Sequence, residues 1–296
     1  MTTQTATALS TVYVVWGSTY LAIRVMVESL PPLLAAGARF LLAGAALAGV
    51  VFLRGGRERL LVRSPEVAGA AAVGCLVLFG GIGLVTVAEQ HVASGIAALV
   101  IASVPLWVLL LRALNAERIP RASGVASLVG FAGVALLFAP GQDSGRAPAD
   151  WLLVLIGAAA MTAVGAWYAH RWPLPRDAYV STALQLLTAG SVTFALALVL
   201  GEGGDLVRTH VSPRSLVAFL YLVVFGSLVA YTAFAWLLQH APPALVATYA
   251  YVNPVVALVL GAAMLGERLT APILLSAVVV VGSVGVVVRA ERPTRG

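Results

Sequence analysis

The chain has 296 residues, of which 60% are apolar and 10% are charged, and its mean hydropathy is +0.98. A water-soluble globular protein carries about a quarter charged residues, so this composition excludes that class. The formal net charge is +6, and all 18 basic residues are arginine. Most of them fall at the ends of apolar runs or between them, a pattern of membrane topology that excludes a nucleic-acid-binding surface.

Apolar runs separated by short turn sequences predict ten membrane-spanning helices. Each run approaches the roughly 20 residues that cross about 30 Å of bilayer hydrocarbon as a helix. The first residues lack the basic region of a cleavable signal peptide, so the first run is expected to remain as a helix. The predicted helices cover residues 8–28, 33–53, 67–88, 92–113, 122–139, 150–170, 179–200, 215–239, 243–265 and 270–289.

Short sequence elements recur in the same order in both halves of the chain. This ordered series at a nearly constant separation indicates that a five-helix unit is duplicated, over residues 8–139 and 150–289. Because five is an odd number, the second copy enters the membrane from the opposite side, and the prediction is a 5+5 inverted repeat. The pairs include Pro105 with Pro254, Glu117 with Glu267, Tyr20 with Tyr168, and Phe79-Gly80 with Phe225-Gly226, at separations of 146 to 150 residues.

The distribution of arginine predicts that both termini are cytoplasmic, because arginine is enriched in the short loops that stay inside. With that orientation twelve arginines lie inside and four lie outside. The inside set is Arg54, Arg57, Arg59, Arg63, Arg112, Arg118, Arg121, Arg171, Arg176, Arg289, Arg292 and Arg295, and the outside set is Arg146, Arg208, Arg214 and Arg268.

Several short motifs resemble those of a known transporter family. They are Trp16-Gly17-Ser18-Thr19, Pro32 followed by Ala38-Arg39-Phe40, and a mid-helix proline followed by Glu-Arg in each half. In order and spacing the chain resembles two tandem repeats of the EamA family of the drug/metabolite transporter superfamily. The resemblance implies ten helices, inverted repeats, a multi-pass protein of the plasma (inner) membrane, and export of small metabolites such as amino acids.

Two prolines mark breaks in predicted helices four and nine. Pro105 and Pro254 cannot donate a backbone hydrogen bond, so the carbonyls of Ile101 and Ala250 each lose their usual partner. In a membrane such a group is tolerated only against protein or a water-filled cavity. Two interpretations stay open: the breaks line a binding site at the midplane, or they are hinges or packed kinks.

Aromatic and polar residues near these breaks are predicted to line the substrate pathway. Trp16, Thr19 and Tyr20 share one face of helix one, and Tyr249 and Asn253 share one face of helix nine. The alternative for such aromatic residues is anchoring at the membrane surface. The predicted substrate-binding residues are Trp16, Thr19, Tyr20, Arg39, Trp107, Tyr168, Tyr249 and Asn253.

Charged residues within the spans are scarce. Arg39 lies two turns into helix two, where it either binds a substrate carboxylate or has a structural partner, and Arg24 is expected to pair with Glu28 or reach the surface. The twelve acidic residues fall at predicted helix ends or in loops, so no buried carboxylate is expected for binding a lipophilic cation or relaying a proton. The Glu117-Arg118 and Glu267-Arg268 pairs are interpreted as structural turns.

These patterns favour a secondary transporter over an enzyme, a channel or a scaffold. No catalytic constellation, metal cluster, cofactor motif or nucleotide-binding loop is found in the sequence, and an inverted repeat suits alternating access within one chain. The predicted function is export of small metabolites, most of all amino acids, with a multidrug exporter as the alternative. The expected partners are a small-molecule substrate and the lipid bilayer, without nucleic acid or ATP, and a monomer is sufficient.

Overall fold

The computed structural model describes residues 2–138, 148–169, 171–208, 210–241, 243–246 and 248–290. Over these ranges the regular secondary structure is entirely helical, which confirms the predicted all-α membrane class. Nine of the described helices are long and apolar enough to cross a membrane, and a tenth apolar helix has 17 residues. The predicted boundary at residue 139 and Arg146, Arg292 and Arg295 lie outside the described residues.

We number the ten apolar helices α1 to α10. Three short helices, Arg57–Leu60, Glu202–Arg208 and Pro243–Val246, lie between them. Their bounds are α1 Thr3–Met26, α2 Pro32–Gly55, α3 Ser64–Ala88, α4 Ser94–Leu114, α5 Arg121–Phe138, α6 Ala149–Tyr168, α7 Ala178–Val199, α8 Pro213–Phe234, α9 Tyr249–Leu265 and α10 Ala271–Ala290.

Two of these helices contain a π-helical segment that the sequence analysis did not predict. In α3 the segment is Cys75–Gly83, and in α8 it is Leu222–Val229. Their first residues are 147 positions apart (222 minus 75), which is within the range of separations found for the sequence repeat. π-helical segments are rare, so their matching positions in the two halves indicate that they belong to the repeated unit. Such segments also occur frequently at functional sites.

The helices pack in pairs that respect the repeat. α2 packs on α7 and α5 on α10, and each of these pairs joins a helix to its own repeat-related partner. The contact of α1 with α9 is matched by that of α6 with α4, and the contact of α1 with α8 by that of α6 with α3. The two halves are therefore related in their packing as well as in their sequence.

Glycine allows the backbones of α2 and α7 to approach each other closely. A Cβ atom at Gly37 would lie 2.6 Å from the main-chain nitrogen of Phe194, and one at Gly190 would lie 2.9 Å from that of Leu41. Small residues at a membrane helix interface let the backbones meet and gain van der Waals contact. A larger residue at either position would force the two helices apart.

The outer surface of the bundle is apolar over much of its area. Large side chains such as Leu53, Val199 and Val278 are exposed, at 83%, 82% and 72% of their maximum. In water this surface would be an aggregation hazard, whereas in a bilayer it faces lipid tails. The buried interior is built from small and branched residues, and polar groups inside it are correspondingly few.

Candidate functional site

A cavity of about 110 Å³ lies among α1, α4, α6 and α9. Both proline turns contribute to its wall, so the two repeats meet at this place. Ile101 and Ala250 line it as well. Their carbonyls lack the usual hydrogen-bond donor, because the residue four positions later in each case is a proline and has no backbone N–H. The wall consists of Tyr20, Ala98, Ile101, Ala102, Val104, Pro105, Thr162, Tyr249, Ala250, Asn253 and Pro254.

The helix α4 is interrupted immediately before its proline. Regular helix covers Ser94–Ile101 and resumes at Val104–Leu114, with Pro105 in the first turn of the second part. The hydroxyl of Ser103 donates to the carbonyl of Val100 at 2.6 Å, which satisfies part of the interrupted backbone. A proline in the first turn of a helix is well tolerated because its missing N–H would have no partner there.

The repeat-related proline has a different setting. Pro254 lies inside the helix α9, which begins at Tyr249 after a turn at Thr248. Predicted helix nine, residues 243–265, includes a position outside the described residues, and its described parts are helical at Pro243–Val246 and Tyr249–Leu265. The hydroxyls of Tyr13 and Thr248 are hydrogen-bonded at this turn, so α1 holds the start of α9 in place.

The polar side chain of α9 at the cavity is Asn253, which is 7% exposed. When its amide is oriented so that the nitrogen faces neighbouring acceptors, that nitrogen donates to the main-chain carbonyls of Tyr13 and Tyr249, both at 3.3 Å. These contacts fix the side chain between α1 and α9.

Trp16 and Thr19 meet at the π-helical segment of α8. The indole nitrogen of Trp16 donates to the carbonyl of Gly226 at 3.2 Å, and a Cβ atom added to Gly226 would lie 3.1 Å from the Cγ2 atom of Thr19. The Trp16 ring also packs on the Tyr249 ring, with a centroid distance of 5.2 Å. Trp16 thus connects the π-helical segment to the cavity wall.

Arg39 joins the same group from α2. It is 3% exposed, and its Nε atom donates to the hydroxyl of Ser227 at 2.9 Å. One of its terminal nitrogens would lie 3.2 Å from a Cβ atom at Gly226. The sequence predicted that Arg39 binds either a substrate carboxylate or a structural partner. The Ser227 hydroxyl is a structural partner for one of its nitrogens.

Of the eight predicted substrate-binding residues, Tyr20, Tyr249 and Asn253 line this cavity, and five do not. Trp16, Thr19 and Arg39 lie beside it at the π-helical segment of α8. The other two are farther from it. Trp107 packs edge-on against Phe131 of α5, with ring centroids 4.9 Å apart, because a residue two positions after Pro105 lies about 200° around the helix. Tyr168 ends α6 and stacks on Trp172 at 4.4 Å. The cavity-lining residue of α6 is Thr162, a polar position within an apolar helix that the sequence analysis did not consider.

The expectation that no carboxylate is buried is wrong. Glu89, directly after the last residue of α3, has no exposed surface, and neither of its side-chain oxygens has a hydrogen-bond partner. Its position at a helix end is as predicted. It is nevertheless enclosed, because the ends of α1 and α3 and the start of α4 pack together around it.

Of the two alternatives predicted for Arg24, pairing with Glu28 is wrong. Arg24 donates to the main-chain carbonyl of Glu89, and Glu28 lies 3.7 Å from Arg214 at the start of α8. Arg24 is partly exposed, in agreement with the other alternative, that it reaches the surface. Its hydrogen bond ties α1 to the end of α3 through one guanidinium nitrogen and leaves the Glu89 carboxyl group without a partner.

The two Glu-Arg turns have different roles in the two halves. Glu267 accepts hydrogen bonds from the main-chain nitrogens of Ser94 and Gly95, at 2.8 and 3.1 Å, and so caps the start of α4. Glu117 forms ion pairs with Arg112, at 2.8 Å, and with Arg171. Within the described ranges, no three His, Cys, Asp or Glu side chains lie close enough to hold a metal ion.

The fold and the site together define a multi-pass membrane protein with two related halves and an internal cavity between them. The model of the EamA-like transporter family matches residues 5–139 and 150–289, and the chain belongs to this family. It is accordingly a membrane transporter, as the sequence motifs predicted, and family membership gives no sign of an enzyme.

Named relatives of this chain are described as transporters too. The uncharacterized inner membrane transporter YedA of Escherichia coli strain K12 is 41% identical over 264 residues, which cover 89% of this chain and 83% of that protein. A probable amino-acid metabolite efflux pump of Salmonella typhimurium is 26% identical, over 91% of this chain and 89% of that one. These names place the chain among multi-pass inner-membrane proteins.

One solved structure supports the architecture. A crystal structure of a protein that is 20% identical covers 97% of this chain and 96% of its own, with a TM-score of 0.65. At this level of identity the likeness concerns the fold alone.

Proposed function

We propose that this transporter exports amino acids or closely related small metabolites by alternating access around the cavity. The observation that carries the proposal is the position of the cavity: it lies where the two repeat-related proline turns, Pro105 and Pro254, face a common space. In transporters built from inverted repeats, interrupted helices at matching positions point to the substrate site. The two halves would then rock around this space.

The proposed topology is ten spanning helices in a 5+5 inverted repeat with both termini in the cytoplasm. Support comes from the matched packing of α1 on α9 and α6 on α4, and from the matched π-helical segments. The short helix Pro243–Val246 and α9 together would form the tenth span. The arginine distribution supports the orientation.

The topology can be tested by labelling single cysteines in intact cells with a membrane-impermeant maleimide. The native Cys75 is first replaced by alanine, and Thr3→Cys, Gly204→Cys and Gly296→Cys are then made separately. We expect Gly204→Cys to be labelled from outside and the two terminal variants to be labelled only after lysis. Labelling of Thr3→Cys in intact cells would contradict the proposed orientation.

The size and lining of the cavity support a small solute. Pockets for drug-sized ligands measure about 300–1,000 Å³, and this cavity of about 110 Å³ is well below that range. Beside the cavity, Trp16 packs on the lining residue Tyr249, and the buried Arg39 lies at the same π-helical segment as Trp16. A small molecule that extends from the cavity to this segment would place a carboxylate near Arg39 and an apolar side chain near Trp16. The name of the Salmonella relative supports the same substrate class.

The alternative, a multidrug exporter, regains support from Glu89. The sequence argued against lipophilic cations as substrates because no buried carboxylate was expected. Glu89 is such a carboxylate, so this argument is withdrawn. A buried acid can pair with a cation in a membrane. We therefore keep this function as the second candidate and include its substrates in the test.

The test is exchange of radiolabelled substrate by the purified protein in liposomes without a pH gradient. We expect exchange of amino acids, and we expect Trp16→Ala and Asn253→Ala to reduce it about tenfold, the effect of losing roughly 1.4 kcal/mol of contact. Trp172→Ala and Asn115→Ala are the matched controls outside the cavity. Wild-type exchange by both Trp16→Ala and Asn253→Ala at normal abundance would refute the site, and exchange of tetraphenylphosphonium alone would favour the alternative.

A further inference from the structure

Glu89 differs from the other glutamates near helix ends. Glu267 accepts three hydrogen bonds from Ser94 and Gly95, and Glu202 accepts two from the main-chain nitrogens of Leu33 and Leu34. Glu89 is fully buried, and neither of its carboxyl oxygens has a partner. The first two are explained by helix capping, whereas the structure shows no such role for Glu89.

The surroundings of Glu89 do not neutralise an ionised carboxylate. From α1, Arg24 binds the main-chain carbonyl of Glu89. Tyr20 and Glu267 both lie close enough to the carboxyl group to interact with it electrostatically, and Glu267 has the same charge. Burial without hydrogen bonds disfavours an ionised carboxylate strongly, so the neutral acid suits this arrangement.

The remaining helices against this end of α3 leave Glu89 without a compensating charge among the described residues. From α6, Trp151 stacks on the exposed His91 at 4.2 Å, and the neighbouring Asp150 is exposed. From α2, the buried Arg39 is bound to Ser227 on α8. Opening of this end of the bundle would therefore change the protonation of the Glu89 carboxyl group, because water would enter or Arg24 would move.

Tyr20 links this acid to the substrate cavity. It lines the cavity and also packs against the core cluster that contains Val85 and Ala88, the residues at the end of α3. Tyr20 and Arg24 are four positions apart on α1 and so lie on one face of that helix. A movement of α1 that opens the cavity would also move the arginine that holds Glu89.

We propose that Glu89 carries the proton that this transporter exchanges for its exported substrate. The proposal rests on the proposed function. A proton from the outer solution binds one carboxyl oxygen of Glu89, and the neutral acid is retained while the substrate site returns inward. The proton then leaves the carboxyl group by way of the substrate cavity, which Tyr20 lines, and is released to the cytoplasm. With one proton entering for each neutral substrate that leaves, the proton gradient drives export.

The experiment uses the full-length protein in liposomes and compares wild type with Glu89→Gln. This near-isosteric variant keeps the volume and removes the titration, and Glu28→Gln is the control with the same chemical change at an exposed glutamate. Two transport quantities are measured for an amino acid: exchange without a gradient and accumulation driven by a pH difference of one unit. Infrared spectra of the same samples report the carbonyl band of a protonated buried acid.

We expect wild type and Glu28→Gln to accumulate substrate up to about tenfold for one pH unit, the ratio set by one proton per substrate. Glu89→Gln should keep exchange but lose accumulation and the infrared band. Accumulation by Glu89→Gln, an unchanged band, or a wild type that exchanges without responding to the gradient would each overturn the proposal. Glu89→Asp should regain part of the accumulation if the acid itself is required.

Failure of the proposed function gives a different result. If wild type exchanges no amino acid, that function is refuted, and the gradient comparison is made with tetraphenylphosphonium instead. Gradient-driven accumulation of that cation by wild type but not by Glu89→Gln would uphold the role of Glu89 with another substrate. Absence of gradient-driven transport with both substrates would overturn the role of Glu89, whereas the proposed function is overturned only by absence of amino-acid exchange.

Discussion

Each of the two repeats places a proline in the wall of the same cavity, but the backbone around that proline differs between them. In the first repeat the helix stops at Ile101 and resumes at Val104, so that Pro105 begins a new helical segment. In the second repeat Pro254 lies within α9, which begins at Tyr249 after a turn at Thr248. Duplication of a sequence thus preserves the position of a residue without preserving the local backbone, because neighbouring contacts such as that of Tyr13 with Thr248 differ.

The comparison extends to the charged groups of the two halves. Arg39 in the first repeat corresponds to the neutral Gln185 in the second. Glu267 caps a helix of the other half, whereas Glu117 binds arginines. The two related halves therefore carry different sets of polar groups.

The largest expected effect concerns Arg39, whose counterpart in the second repeat is the neutral Gln185. We predict that Arg39→Gln weakens amino-acid binding about ten- to a hundredfold, because a hydrogen bond to a charged group contributes about 1.5–3 kcal/mol. Gln185→Ala, at the repeat-related position, should leave binding nearly unchanged. The apparent affinity in the exchange assay measures both, and equal losses in the two variants would show that the halves do not differ in this way.

The second prediction concerns the prolines. Pro254→Ala should stabilise the purified protein by about 1–3 kcal/mol, because a proline inside a helix costs up to about 3 kcal/mol through its missing hydrogen bond and its clash with the preceding turn. Pro105→Ala should change stability by less than about 1 kcal/mol, since the first turn tolerates proline. Thermal unfolding in detergent compares the two, and a larger gain for Pro105→Ala would reverse the interpretation of the breaks.

The third prediction concerns the cap at the start of α4. Glu267→Ala removes the acceptor from the main-chain nitrogens of Ser94 and Gly95 and should destabilise the protein by about 1–2 kcal/mol, the usual cost of losing a helix cap. Thermal unfolding measures the loss. Arg268→Ala, at the neighbouring exposed residue, is the control, and an equal loss there would argue against capping.

The smallest expected effect is that of Glu117→Gln. The Arg112 guanidinium, hydrogen-bonded to the Glu117 carboxyl group, lowers the pKa of that group below its ordinary value of 4.5, and the charge of Arg171 acts in the same direction. Because the folded-state pKa is lowered, the carboxylate stabilises the fold above its ordinary pKa, and this stabilisation disappears as the pH falls through the lowered value. Unfolding curves of wild type and variant should therefore converge in acid, and a constant difference would exclude titration of Glu117 as the cause.

Much of the candidate site could be predicted because helical periodicity places residues on faces. Tyr20, Tyr249, Asn253 and the two prolines line the cavity, and each was selected from its spacing or from its match in the other repeat. Trp107 was selected for its proximity to Pro105 along the chain, and it lies on the opposite face of its helix. Whether any of these residues contacts a substrate stays a prediction.

Glu89 shows the limit of reasoning along the chain. A glutamate at the end of an apolar run is usually solvated, and nothing in its sequence neighbourhood distinguishes it from Glu28. Its burial arises from residues distant in sequence, since Arg24 and Glu267 both reach the same end of the bundle. The partner of Arg24 could not be predicted for the same reason.

The amino-acid sequence alone is enough to specify a helical membrane protein with two related halves, because apolar content and its repetition are local properties that add up along the chain. Tertiary structure decided which proline interrupts its helix, that Arg39 meets the π-helical segment of α8, and that Glu89 is enclosed without a partner. These properties depend on which helices meet and at what distance. Burial and hydrogen bonding are set by such contacts, and a single run of residues does not contain them.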